Sequence, residues 1–156
     1  MIELELVGVR VELPHNQPIV LLKERSGDRF LPIWIGAVEA TSIAFALQGV
    51  VTARPMTHDL MRDLLNNLHV AVDRIVVTEL KEGTFYAEIQ MTSDGESVVV
   101  SSRPSDAIAL AVRATVPIFA DEAVLNDAGI EIEDEEEDEV ERFKAFLEEV
   151  TPEDFQ

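Results

Sequence analysis

Residues 84–106, TFYAEIQMTSDGESVVVSSRPSD, decide the fold class, because a strand, a tight turn, a second strand and a helix start follow one another there. In residues 84–91 apolar and polar side chains alternate, which is the period of a half-buried strand. Asp94-Gly95 is a strong hairpin turn signal. Pro104 then opens an alanine-rich apolar run, and proline is favoured in the first turn of a helix. The stretch predicts antiparallel strands followed by a helix.

The first third of the chain repeats this order of elements. Residues 2–13 alternate between apolar and polar side chains, but the phase changes beside Gly8, which predicts a bulge in one long strand. Residues 26–28, Ser-Gly-Asp, favour a hairpin turn. The strand that returns, residues 30–35, contains Pro32, so we expect it at a sheet edge or a bulge.

Two helices follow that strand. Residues 37–47 are almost wholly apolar and predict a buried helix. After Pro55, apolar residues recur on one side of a second helix. These are Leu60, Met61, Leu64, Leu65 and Leu68. The apolar run at residues 19–22, a strand over 70–80 and a short helical turn near 121–126 complete the pattern. Because three strands and two helices then come twice in succession, we predict an α+β fold with mixed or antiparallel sheets, built from two β3-α2 halves.

The composition excludes several functional classes. The chain has 156 residues, 47% of them hydrophobic, and no cysteine. Disulfide scaffolds, thiolate zinc sites and cysteine nucleophiles are therefore excluded. No apolar run reaches the roughly 18 residues of a membrane span. Residues 1–5 lack the basic flank and apolar stretch of a secretory signal, so we expect a cytoplasmic protein that does not bind membranes.

The negative charge is concentrated at the C-terminal end. The net charge is -19, and 13 of the 31 acidic residues lie in residues 131–156. We predict a domain over residues 1–130, an acidic linker over 131–139, and a short amphipathic helix with a tail over 140–156. The terminal helix could dock on the parent domain or on a partner. A net charge of this size argues against a protein that coats nucleic-acid phosphates.

Polar clusters mark three predicted helix starts, at residues 36–39, 54–59 and 102–106. Capping of free helix amides is a sufficient structural explanation for Thr57, Ser105 and Asp106. It does not explain the arginine that precedes each proline. An arginine beside free helix amides can bind an anion such as phosphate. We therefore expect phosphate-binding residues at two of the helix starts. They are Arg54, Thr57, Arg103 and Ser105.

The carboxylates near these arginines favour metal-assisted phosphodiester cleavage. In this chemistry carboxylates hold Mg²⁺ or Mn²⁺, the cation activates water, and arginine neutralises charge on the phosphate. We expect a divalent metal bound by Glu39, Asp59 and Asp106. The predicted catalytic residues are Glu39, His58, Asp59 and Asp106. His58 could equally pack beside Met61 and Leu65 of its own helix.

Three motifs in order resemble the bifunctional nuclease domain family. They are LPIWIG at 31–36 leading to Glu39-Ala40, RPMTHDL at 54–60, and SRPSDAIALA at 102–111. The resemblance spans roughly residues 1–128 and implies a compact α+β domain, usually bacterial and often cytoplasmic, that self-associates as a homodimer or higher homo-oligomer. The family takes its name from plant members described as cleaving DNA and RNA. No settled catalytic residues transfer with the resemblance.

Two functional hypotheses follow. The first is a metal-dependent nuclease with nucleic acid as its substrate, using the residues named above. The second is a non-catalytic oligomeric regulatory or anion-binding module, in which the Arg-Pro motifs fix helix starts or bind a small anion. The spatial arrangement of the carboxylates discriminates between them, because a single cation cannot use ligands that lie far apart.

Overall fold

The computed structural model describes residues 1–12 and 17–131 and confirms the predicted α+β class. Within these residues four helices accompany a mixed sheet of eight strands. The strands are β1 (Ile2–Glu12), β2 (Gln17–Glu24), β3 (Arg29–Trp34), β4 (Val70–Lys81), β5 (Thr84–Ser93), β6 (Glu96–Ser102), β7 (Ile118–Ala120) and β8 (Ile130–Glu131). The helices are α1 (Ala37–Gln48), α2 (Thr57–Asn67), α3 (Pro104–Ala114) and α4 (Glu122–Ala128).

The sheet consists of two antiparallel meanders joined by one short strand. The strand order is β6-β5-β4-β7-β1-β2-β3-β8. Strand β7 lies between the meanders, parallel to β4 and antiparallel to β1. The order of elements agrees with the two predicted β3-α2 halves, whose duplication stays a prediction. Strands β7 and β8 are additions that the sequence pattern did not indicate.

Local features of the strands follow the sequence closely. The register of β1 against β2 shifts between Leu6 and Gly8, which confirms the bulge. In an unbroken strand Leu4 and Val9 would face opposite sides of the sheet. Because the bulge changes the alternation, both are buried. Pro32 pairs with β2 on one side of β3, whereas β8 on the other side pairs with Arg29 and Phe30 and ends before Pro32. Pro32 therefore lies at an edge of the sheet, as predicted. The hairpin turn between β5 and β6 is likewise formed at Asp94-Gly95.

Helix α3 is the central buried helix, and α1 and α2 both pack against it. The small side chains of its alanines let neighbouring elements approach closely. The expectation of a buried α1 is wrong in part, because Val38 is 79% exposed and Leu47 is 44% exposed. Only one side of α1 contacts the core.

The apolar stripe of α2 is also divided. Met61 and Leu65 pack against the core, whereas Leu60, Leu64 and Leu68 are exposed. Helices α1 and α2 therefore present apolar side chains on the outer surface. None of the helices in residues 1–12 and 17–131 is both long and apolar enough to cross a membrane.

The C-terminal predictions fall mostly beyond the described part of the chain. Glu131, the first residue of the predicted linker, pairs with Arg29 as part of β8. The rest of that linker and the predicted helix and tail over 140–156 lie outside the described residues. The proposed domain limits stay a prediction.

Candidate active site

Three helix starts meet around one cavity of about 510 Å³. The first turns of α1 and α2 contribute to its walls, as do the residue before α3 and the first turn of that helix. This convergence brings together sequence segments that lie up to about seventy residues apart. The lining residues are Ala37, Val38, Glu39, Thr41, Ser42, Phe45, Met56, Thr57, His58, Arg103 and Asp106. Five of the predicted site residues are therefore neighbours.

Arg103 connects two of these helix starts. Its Nε lies 2.9 Å from Asp106 Oδ2, and its Nη2 lies 2.9 Å from Glu39 Oε1. The Arg103 side chain is 65% exposed, whereas Glu39 and Asp106 are largely covered. Its guanidinium therefore faces the solvent while its nitrogens hold two carboxylates on different helices.

The carboxylate of Asp106 stays ionised through its hydrogen bonds. Burial favours the neutral form and acts to raise its pKa. Hydrogen bonds from Arg103 and His58 outweigh this effect, so the pKa of Asp106 lies below its usual value. The contacts with Asp106 and, to a smaller extent, with Glu39 raise the pKa of Arg103. Asp106 is therefore a permanent hydrogen-bond acceptor near neutral pH.

His58 lies buried between a hydroxyl and this carboxylate. Its Nδ1 is 2.6 Å from Ser42 Oγ, and its Nε2 is 2.9 Å from Asp106 Oδ1. Side chains from all three helices thus form one chain of hydrogen bonds. The alternative, in which His58 packs beside Met61 and Leu65, does not by itself account for the polar partners of both ring nitrogens.

Gly36 allows Glu39 to fold back over the start of α1. A Cβ atom at position 36 would collide with a carboxylate oxygen of Glu39. That contact is with the end of a flexible side chain, and α1 starts after its N-cap, Gly36, without a side-chain capping bond. Glu39 is held at the cavity by this packing and by Arg103.

Asp59 does not belong to the cavity, although the sequence placed it among the catalytic and metal-binding residues. Its Oδ1 lies 2.6 Å from Nε of Arg113, and its Oδ2 accepts a hydrogen bond from the amide of Met56. Burial acts to raise the pKa of Asp59, but these partners lower it overall. The carboxylate stabilises the packing of α2 against α3.

The predicted phosphate-binding residues lie in three places. Arg103 and Thr57 line the cavity. Ser105 is buried and lines a neighbouring pocket of about 370 Å³ that Arg103 also borders. Arg54 lies outside both, in the exposed segment before α2. The structure therefore brings one of the two arginines to the predicted site.

The carboxylates do not fit the predicted metal site as a set. Glu39 and Asp106 share the guanidinium of Arg103, while Asp59 pairs with Arg113. In residues 1–12 and 17–131 no group of three or more histidine or acidic side chains is arranged to hold a metal ion. Binding of Mg²⁺ or Mn²⁺ by Glu39, Asp59 and Asp106 stays a prediction.

Sequence reasoning missed Ser42 and Arg113. Ser42 is a hydroxyl inside an almost wholly apolar helix, and a polar residue at a buried helical position normally needs a hydrogen-bond partner. That signal was available in the sequence. Arg113 gave no comparable signal, because a basic residue in the last turn of a helix is favourable for dipole reasons alone.

The fold and cavity define an α+β domain with a histidine–carboxylate–arginine site at converging helix starts. A family model described as the bifunctional nuclease domain matches residues 20–133. The chain belongs to the bifunctional nuclease domain family. The family predicted from the three sequence motifs is thereby confirmed.

Relatives of the chain fall into two groups. An uncharacterized protein of Mycobacterium tuberculosis is 49% identical over 162 residues, which cover 98% of this chain and 97% of that protein. Bifunctional nuclease 1 of Oryza sativa subsp. japonica is 26% identical over 130 residues, covering 81% of this chain and 39% of the rice protein. Bifunctional nuclease 2 of Arabidopsis thaliana is 27% identical over 124 residues, covering 78% and 37%. The similarity to the plant proteins therefore covers less than half of their length.

Proposed function

We propose that this chain is a nuclease that cleaves phosphodiester bonds of DNA or RNA in the cavity between α1, α2 and α3. The observation that carries the proposal is the convergence of Arg103, His58 and Asp106 at adjoining helix starts. Membership of the bifunctional nuclease domain family supports it, as do the plant relatives named bifunctional nucleases.

Arg103 is the residue suited to bind the substrate phosphate. Among the described residues its contacts use Nε and Nη2, which leaves Nη1 of the fork for a phosphate oxygen. The first-turn amides of the helices add partial positive charge at the same cavity. An exposed guanidinium can also exchange its carboxylate partners for phosphate at low free-energy cost, because exposed ion pairs contribute little stability.

His58 is the group suited to proton transfer. Histidine is the side chain whose unperturbed pKa lies nearest to neutral pH, and buried imidazoles at cavities commonly act as acid or base. Asp106 fixes the orientation of the ring through Nε2. The roles assigned here need only side chains that the structure brings into contact.

Divalent-metal assistance is a separate proposal. Glu39, Asp106 and Arg103 together give the cavity one excess negative charge, which opposes the approach of a phosphate. A divalent cation would reverse that sign. The carboxylates are shared with Arg103, however, and no step proposed for this chain depends on a cation. Parallel assays with EDTA and with added Mg²⁺ or Mn²⁺ measure the dependence.

Self-association is the second candidate function, as a non-catalytic oligomeric module. The exposed apolar side chains of α1 and α2, including Val38, Leu60 and Leu64, favour it. Sedimentation of the full chain measures the oligomeric state. A cleavage assay discriminates the two functions, because only the nuclease hypothesis requires Arg103 for turnover.

The test uses 5′-labelled single-stranded DNA and RNA with the purified full chain. We expect Arg103→Ala to lower kcat/KM by about 10²–10³-fold, the usual effect of removing a donor that stabilises transition-state charge. Arg25→Ala is the matched control, because Arg25 is also an exposed arginine in an ion pair, with Glu3, far from the cavity in the strand hairpins. Equal cleavage by the two variants would show a contaminant or another site.

A further inference from the structure

The hydroxyl of Ser42 is held in an unusual way for a serine inside a helix. Its neighbour Thr41 donates a hydrogen bond to the carbonyl of Ala37, four residues earlier, at 3.0 Å. This back-bond is the ordinary solution for a helical hydroxyl. Ser42 Oγ instead lies 2.6 Å from Nδ1 of His58. The two adjacent hydroxyls therefore have different environments on the same helix.

The direction of the hydrogen bond follows from the carboxylate at the other side of the ring. Asp106 is ionised and accepts hydrogen bonds only, so Nε2 of His58 carries the proton that it donates. In a neutral imidazole the other nitrogen is then an acceptor. In that tautomer Ser42 donates its hydroxyl proton to Nδ1. A base aimed at a hydroxyl, with a third group that orients the base, is the arrangement of an activated nucleophile.

We propose that Ser42 is the nucleophile of this site and that cleavage passes through a covalent phosphoseryl intermediate. The inference rests on the proposed nuclease function and names the attacking group of that same cavity. Ser42 and His58 are both largely buried, yet both line the cavity, so a substrate phosphate can reach them from its open side. Arg103 lines the same cavity and is available to stabilise charge on the phosphate.

Two displacements account for all atoms and protons. In the first, Ser42 Oγ bonds to phosphorus while its proton moves to His58 Nδ1. The bond from phosphorus to the leaving sugar oxygen breaks on the opposite side of phosphorus, and that oxygen takes a proton from a water molecule, which becomes hydroxide. In the second, the hydroxide attacks phosphorus from that same side, and the Ser42 oxygen leaves with the proton held on His58 Nδ1. The net reaction is hydrolysis of a diester to a monoester and an alcohol.

Asp106 is a positioning residue in this scheme, because it acts through His58. Its carboxylate accepts from Nε2 and so keeps Nδ1 free of a proton. In Asp106→Asn the amide can donate to Nε2, which would place the ring proton on Nδ1 and remove the base from Ser42. Asp106→Asn replaces one carboxylate oxygen by an amide NH₂ group and keeps the size and shape of the side chain.

The first test labels the full chain with diisopropyl fluorophosphate, which phosphorylates activated serines with loss of fluoride. Peptide mass spectrometry should locate the adduct on Ser42 and leave Thr41 unmodified. We expect Asp106→Asn to slow labelling at least about tenfold with an unchanged melting temperature, which a purely structural network would not produce. A folded wild-type chain without an adduct on Ser42 overturns the inference.

The second test compares Ser42→Ala with Ser42→Cys in the cleavage assay. Loss of the nucleophile should lower turnover by at least about 10³-fold, whereas the cysteine variant should retain a measurable rate. Cleavage by Ser42→Ala at the wild-type rate overturns the inference and leaves the proposed function intact. Absence of cleavage by the wild-type chain overturns the proposed function, and labelling alone then decides whether Ser42 is activated. Circular dichroism of each variant verifies folding.

Discussion

The two ends of α3 carry arginines that make similar bonds in different surroundings. Arg103 precedes the helix, is 65% exposed and contacts Glu39 and Asp106. Arg113 lies in the last turn, is 5% exposed and contacts Asp59, the carbonyl of Ser42 and the carbonyl of Ala109. Each arginine joins α3 to α1. Burial, rather than the type of bond, separates an arginine that can bind substrate from one that fixes the packing.

The two arginines differ in stability because solvent determines the free-energy cost of losing the carboxylate that each one contacts. An exposed guanidinium without its carboxylate is hydrated again, so the loss is small. A buried guanidinium without its carboxylate keeps a charge in a poorly solvated place, which is strongly unfavourable. Arg113 should therefore be far less tolerant of change around it than Arg103.

Removal of the partner of Arg113 has the largest expected effect on stability. Asp59→Ala leaves a buried charge without its carboxylate and should lower the free energy of unfolding by about 3 kcal/mol. For a domain of this size the melting temperature should fall by roughly 6–12 °C. Differential scanning calorimetry measures both values. A loss below about 1 kcal/mol would mean that Arg113 is solvated after all, and the contrast between the two arginines would disappear.

The stability that Asp59 contributes through Arg113 should depend on pH, which gives a second test of the contrast between Arg113 and Arg103. The pKa of Asp59 is lower in the folded chain than in the unfolded chain, where it is about 4. The ionised form therefore contributes its full stability above that unfolded pKa. This stability is lost as the pH falls through the folded value. We expect the difference in unfolding free energy between wild type and Asp59→Asn to be constant from about pH 7 to pH 5 and to shrink below about pH 4. Urea titrations at these pH values measure it, and a constant gap down to pH 3 contradicts the assignment.

Arg103→Ala should have the smallest effect on stability, within about 1 kcal/mol, although it is expected to lower cleavage by about 10²–10³-fold. The reason is that the guanidinium is exposed, so its two ion pairs contribute little, and Asp106 keeps its hydrogen bond with His58. Chemical denaturation of this variant beside Arg25→Ala checks the expectation. A destabilisation as large as that of Asp59→Ala would make Arg103 a structural residue.

Much of the fold could be predicted because its signals are local. The bulge at Gly8, the edge position of Pro32 and the turn at Asp94-Gly95 each depend on a few neighbouring residues. Strand β7 could not be predicted from three residues, which are too few to show a period. The exposed side of α1 was missed for a related reason, since an apolar run does not reveal how much of its surface the rest of the chain covers.

The sequence predicted the site residues that lie at helix starts. It did not predict the contacts that depend on residues distant in the chain. Glu39, His58, Arg103 and Asp106 come together as the sequence suggested. Asp59 has the same type of position at a helix start, but its partner Arg113 is 54 residues away in the chain. No spacing rule identifies such a pair, because only tertiary packing determines which carboxylate meets which cation.

The position of β7 also bears on how the chain is assembled during synthesis. Within residues 1–12 and 17–131, the strand that pairs with the inner edge of β1 is Ile118–Ala120, which the ribosome produces long after the first meander is complete. Until then the emerging N-terminal half exposes an unsatisfied strand edge and lacks the buried α3 against which its helices pack. Three residues that are synthesised late therefore join the two meanders into one sheet.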